Sequence, residues 1–234
     1  MEVIKENLDR CDAFYQSDFY HFLEEHDPEY IPYIFDHLCE DPDASDKSLY
    51  QELGEKFNLP ARASYLLYED NGEKIRLAAD VICGRKQIVE HHKQDFKKWR
   101  ADYERVRSNL HLHFLWPKHK APTINTFRYT VYLDRIDCLL YDLKLYFTGQ
   151  ETPMQKAYRN GTTPLWLRQF NNDFKAFIDQ MKLGAYVNEN YEVLDISRGQ
   201  KTVLNRMLSR QEVQASLSDY MENMLRLNAQ GKLK

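Results

Sequence analysis

Residues 116–137, "WPKHKAPTINTFRYTVYLDRID", hold side chains able to do chemistry more densely than any other stretch of the chain. Asn125, Arg128, Asp134, Arg135 and Asp137 stand close together, with Lys118 and Lys120 just upstream. An arginine guanidinium is a planar fork that matches phosphate oxygens, and a lysine adds a point charge. The simplest chemistry is therefore recognition of phosphate, in RNA, DNA or a nucleotide. Trp116, Tyr129 and Tyr132 lie among these cations and could stack on bases. Each residue also has an ordinary structural role open to it. Aromatics at these places commonly fill a core, and Asp134 as N-cap with Asp137 three positions on reads as a capping box at a helix start. No established nucleic-acid-binding signature is present.

A second chemistry is metal-assisted hydrolysis. His111 and His113 alternate along "NLHLHFLW", so both imidazoles could reach one ion, with His119, Asp134 or Asp137 completing it. The plainer reading puts two histidines on the wet side of a half-buried strand. A helical RNase built on Arg105 with His111, or Arg107 with His113, has a tolerable spacing in the wrong context, a strand. His91 and His92 are neighbours and would point about 100° apart on a helix. GxGxxG, P-loop, HExxH and GxSxG motifs are all absent, and no cofactor is expected. The third chemistry is none at all: a docking module that meets a protein partner, or a second copy, through its acidic N-terminal part or its C-terminal helices.

The charge map separates these readings best. The net charge of −4 hides an asymmetry. Residues 1–84 carry 7 basic and 20 acidic side chains, a balance of −13, whereas residues 85–128 carry 11 basic and 4 acidic, a balance of +7, with five of the eight histidines. Residues 129–234 stand at 14 basic and 12 acidic, or +2. A basic stretch inside an acidic protein either meets an anionic partner or docks on the chain's own acidic part. Lys93, Lys97, Lys98, Arg100, Arg105 and Arg107 would form the basic approach surface. Polyanion binding uses both this map and the arginines, so it leads. Arg128 and Arg135 lie off the centre of any apolar stripe, so each should be replaceable without loss of the fold.

The elements that must position these residues are mostly helices. With 43% hydrophobic and 13% aromatic residues the chain is globular, and sixteen tyrosines add aromatic surface with a polar tip. Apolar spacing predicts helices over 1–25, 31–40 and, capped by Asp46, 46–57. "SYLLYEDNGEKIRLAA" has Asn-Gly between two strand-like runs, a hairpin signal. A charged helix follows over 85–106. Residues 110–116 alternate as a strand that buries Leu110, Leu112 and Phe114. A surface loop then leads to a helix over 133–147, on which Arg135 and Asp137 would sit about 200° apart. Thr152-Pro153 and Thr163-Pro164 each place a capping hydroxyl before a helix, the second carrying Trp166, Phe170, Phe174, Phe177 and Met181. "YVNENYEVLDI" reads as a small hairpin. Residues 202–227 are amphipathic, split by a capping box at Ser209 and Glu212. The expected fold class is α+β, mainly helical with a small antiparallel sheet of short strands, in one domain spanning 1–234. Its parts are an acidic helical one (1–84), a basic central one (85–128) and a helical C-terminal one (129–234). Cys11, Cys39, Cys83 and Cys138 are scattered, as in a reduced compartment. "MEVIKENLDRCDAF" lacks the parts of a signal peptide and no run is long enough to cross a bilayer, so a cytoplasmic protein without membrane contact is expected.

"WPKHKAPTIN", Arg128 and "DRID" before "CLLYDLKLYF" resemble an uncharacterised bacterial protein family with a Trp-Pro-Lys, Thr-Ile-Asn, Arg, Asp-Arg-x-Asp pattern. The resemblance is firmest over 110–148 and extends loosely back to "DPDASDKSLYQEL". It departs at Tyr129, where the pattern has Gly, and in the later half of the helix, which lacks an Arg pair. It implies Asn125, Arg128, Asp134, Arg135 and Asp137 as site residues and transfers no activity. The family's character implies a bacterial or mobile-element origin and a connection with phage defence.

Overall fold

The computed structural model of the chain describes residues 42–62, 65–81, 112–118 and 124–232, with positions 21 and 25, both helical. The rest of the helix read at 1–25, the helices at 31–40 and 85–106, and Leu110, His111, His119 and Lys120 lie outside these residues. Helix α1, Pro42–Phe57, starts four residues before the expected Asp46 cap. It stops where Asn58 turns left-handed at φ 52°, a common helix exit that frees the chain for Pro60.

Strands β1 (Ala61–Arg62), β2 (Tyr65–Asp70), β3 (Glu73–Val81) and β4 (His113–Pro117) form one antiparallel sheet in that order. The Asn71-Gly72 turn has both residues left-handed, at φ 47° and 84°, the turn that suits the strand twist. Register pairs Leu66 with Leu77 and Val81 with His113. Helix α1 packs against β1 and β2, and the Tyr50 hydroxyl accepts the Ala79 N–H at 3.0 Å.

The other face of β4 meets the C-terminal helices: Trp116 sits edge-on to Trp166, ring centres 4.8 Å apart. This double cover corrects the alternation expected for β4. Leu112 and Phe114 are buried as read, but so are Leu115 and Trp116, and His113 is only 5% exposed. A strand covered on both sides has no wet face for its histidine.

After β4 come α2 (Ile124–Tyr132), α3 (Ile136–Phe147), α4 (Gln155–Tyr158), α5 (Thr163–Arg168), α6 (Phe174–Gln180), α7 (Arg210–Ala215) and α8 (Leu217–Ala229). The antiparallel sheet among these helices makes the fold α+β. Several boundaries differ from the sequence reading. Residues 124–132 form a helix of their own, and α3 begins at Ile136 rather than 133. The stripe from Trp166 to Met181 is buried throughout but shared by α5 and α6, broken where Asn171 and Asn172 turn left-handed. Helix α5 takes Thr163 as its first residue and α4 starts at Gln155, so neither Thr-Pro threonine is the cap. The capping box at Ser209 and Glu212 is present, but helix begins only at Arg210, not at 202. Val187 and Val193 form the small antiparallel bridge expected there.

Candidate functional site

The corner between α2 and α3 decides where the candidate residues go. Leu133 and Asp134 are both left-handed, at φ 48° and 63°, and Arg135 is extended at φ −61°, ψ 120°. Two consecutive non-glycine residues in this region are costly, so packing must hold them. The Leu133 side chain is fully buried, and the Leu133 N–H donates to Tyr129 O at 3.1 Å.

Because Arg135 precedes α3 instead of lying in it, the 200° separation from Asp137 does not apply. The two pair directly: Nε donates to one carboxylate oxygen of Asp137 at 3.0 Å and a terminal nitrogen to the other at 2.7 Å. Arg135 also donates to Ser216 Oγ at 2.5 Å and Asp195 at 3.2 Å, and its guanidinium lies 5.2 Å from the centre of the Tyr220 ring. Arg135 and Asp137 are both 0% exposed. Burial opposes the Arg135 charge, but the Asp137 carboxylate more than offsets it and holds the guanidinium firmly protonated.

The capping-box reading of Asp134 and Asp137 is corrected. Arg135 is the N-cap residue of α3 and makes no side-chain cap bond. The helix's first N–H groups are met by the Tyr220 hydroxyl at Ile136 (3.1 Å) and by Asp137 itself at Cys138 (2.9 Å). Asp137 further accepts the Ile196 N–H at 2.9 Å. Arg135 thus ties α3 to the segment before α8, and its expected tolerance of replacement does not survive this geometry.

Arg128 is the centre of a second network. From α2 it donates to Asp80 on β3, stands 3.4 Å from Asp134, and lies 4.9 Å from the centre of the Phe114 ring. It is 1% exposed. Each candidate arginine is therefore flanked by two carboxylates of its own chain, which offset its charge. Asn125 falls within α2, Lys118 is exposed just after β4, and Lys120 lies outside the described residues.

A third buried cluster surrounds Asp142 on α3. It accepts the hydroxyls of Tyr132 at 2.7 Å and Tyr158 at 2.8 Å, and the Met154 N–H at 3.3 Å. Burial raises the Asp142 carboxyl above its usual range, the hydrogen bonds pulling the other way. Burial, and then Asp137, pushes the Cys138 thiol well up, which makes it an inert core group. Among the described residues no group of three His, Cys, Asp or Glu could hold a metal ion, and no helix is long and apolar enough to cross a membrane.

Sequence reasoning missed Asp80, Asp195, Ser216 and Tyr220, which complete the networks. They lie 48 to 84 positions from their partners and carry no local signal. No curated protein and no solved structure matches the chain. A family model does match, over residues 33–229, and it covers every network just described: the chain belongs to a family of unknown function (DUF6994).

Proposed function

We propose that the chain binds a polyanion, a nucleic acid or the phosphates of a nucleotide, with the basic stretch 85–128 supplying the charge and the buried Arg128 and Arg135 holding the fold together. The observation that carries this is the charge map: 11 basic against 4 acidic residues over 85–128, in a chain of net charge −4. Topology supports it. The chain leaves β3 at Val81 and returns at His113, its register partner on β4, so both ends of the intervening, mostly basic segment meet the sheet at one place. Arg128 then closes onto Asp80 beside that place. Its role in this reading is to anchor, with contact to the anion left to exposed lysines and arginines. A cytoplasmic setting and a part in bacterial or mobile-element defence against phage belong to the same proposal, on the family resemblance.

The test is fluorescence anisotropy with single- and double-stranded RNA and DNA and a mononucleotide panel, at low and moderate salt. Binding should weaken steeply as salt rises, since each neutralised phosphate releases counterions. Reversing Lys97, Lys98 and Arg100 to glutamate together should abolish it. Full-length protein that binds none of these ligands at low salt would overturn the proposal.

A further inference from the structure

The sheet has one face that helices cover only in part. On β4 the C-terminal helices close over Phe114 and Trp116, both buried. Farther out, on β1 and β2 and the hairpin half of β3, the same face carries Arg62, Tyr65, Leu67, Lys74 and Arg76. Side chains two apart on a strand share a face, so Lys118, two beyond Trp116, joins them. Its N–H donates to Arg76 O at 2.7 Å, which places Lys118 directly beside Arg76. Arg62, Lys74, Arg76 and Lys118 are exposed; Tyr65 and Leu67 are half-buried.

These cations are unevenly engaged. Lys74 is matched by Glu69 at 3.6 Å. Arg62 donates to the carbonyl of its own neighbour Ala61 at 2.9 Å, and Arg76 lies over the Tyr65 ring, 5.1 Å from its centre. Among the described residues no carboxylate pairs with Arg62, Arg76 or Lys118. This differs from Arg128 and Arg135, each of which meets two. Acidic residues gather at the far, turn end of the hairpin, at Glu69, Asp70 and Glu73. An anion is thus attracted to the base of the sheet and repelled from its tip.

We infer that this face is a platform for single-stranded nucleic acid, with Tyr65, Leu67 and the guanidinium plane of Arg76 packing on bases while Arg62, Arg76 and Lys118 meet phosphates. An arginine held over an aromatic ring offers its outer plane to a base and its in-plane N–H groups to phosphate oxygens. A ring between exposed cations that no described carboxylate engages is the arrangement by which single strands are held without sequence readout. Duplex bases are stacked inside the helix and cannot reach Tyr65. The inference rests on the polyanion reading, narrows it to one ligand class, and adds to the basic stretch 85–128 a contact surface on the sheet that joins that stretch at Lys118.

The experiment titrates full-length protein with an oligo-dT and an oligo-rU single strand, a duplex of equal length, and inorganic polyphosphate, which has charge but no bases. Tyr65→Leu keeps much of the buried apolar surface and removes the ring; it should weaken both single strands about tenfold and leave polyphosphate unchanged. Lys118→Glu alters an exposed side chain; it should weaken both kinds of ligand. Arg76→Ala should lower the slope of log affinity against log salt by about 0.7 for single strands, one phosphate contact's share. Thermal midpoints of all variants check the fold. If single strands bind but ignore Tyr65→Leu and Lys118→Glu, or if the duplex binds as tightly, the platform is wrong and the polyanion reading stands. If neither oligonucleotide nor polyphosphate binds, both fall.

Discussion

Replacing Arg135 with leucine removes a guanidinium that donates to Asp137, Asp195 and Ser216 at once. Asp137 is then left in the core with the N–H groups of Cys138 and Ile196 and the Cys138 thiol, none of them charged, while Asp195 keeps its hydrogen bond from the Ser197 hydroxyl. Removing one partner of a buried ion pair costs about 3–5 kcal/mol, because the other charge stays desolvated. Domains are stable by about 5–15 kcal/mol in total, so the loss is a large fraction of the whole. At about 2–4 °C per kcal/mol for a chain of this size, the unfolding midpoint should fall by roughly 6–20 °C. Urea unfolding should show a lower midpoint concentration at an unchanged slope. Arg135→Lys should fall between, since an ammonium cannot make the two-pronged contact. The double replacement Arg135→Leu with Asp137→Leu should recover part of the loss, because no orphaned carboxylate remains beside Ile196. A single variant that loses under about 1 kcal/mol, or a double variant worse than the single, would refute the reasoning.

Four further outcomes are expected. Asp142 has a raised carboxyl in the folded chain, so its contribution to stability is greatest at low pH and declines as pH rises through the folded value; the urea midpoint of Asp142→Asn relative to the parent should improve from pH 4 toward pH 8. Ser209→Ala should cost about 1 kcal/mol by removing the cap of α7. Its partner Glu212, held down to about 2 by Arg206 and Ser209, contributes stability above the ordinary carboxyl range that is lost as pH falls toward that value, visible as a pH-dependent gap between the parent and Glu212→Gln. Gly54→Ala puts a methyl 2.8 Å from the Leu59 carbonyl, a backbone atom that cannot step aside, and should cost about 1–3 kcal/mol by thermal unfolding.

Features set by neighbours in sequence were legible, and features set by distant packing were not. Asn71-Gly72 declares its turn because two left-handed residues in a row favour Asn and Gly, and Ser209 with Glu212 declares its cap because both partners sit within one helical turn. Leu133 declares nothing: a leucine at φ 48° is held by burial, which no local rule encodes. Helix α2, with its run of Thr, Tyr and Val, has weak intrinsic helicity, so no helix was expected between β4 and 133; Arg128 reaching Asp80 helps hold it against the sheet. Residues 125–137 were picked out as an unusual polar group, but their spacing on an ideal helix misplaced Arg135 by assuming the helix continued through it. His113 was misread because alternation shows one covered face and cannot show that the second is covered too.

The Arg135 network also bears on how long a folded molecule lasts. Asp195 and Ser216 are 60 and 81 positions from Arg135, so these bonds close only after the last third of the chain has docked. Contacts completed after the folding barrier leave the rate of folding nearly untouched and act on the rate of escape. If this network closes after the barrier, the roughly 3–5 kcal/mol lost on opening it appears as unfolding faster by about two to nearly four orders of magnitude, with refolding almost unchanged. On this account Arg135 is a latch, set late and released first, whose main effect is the lifetime of the native state.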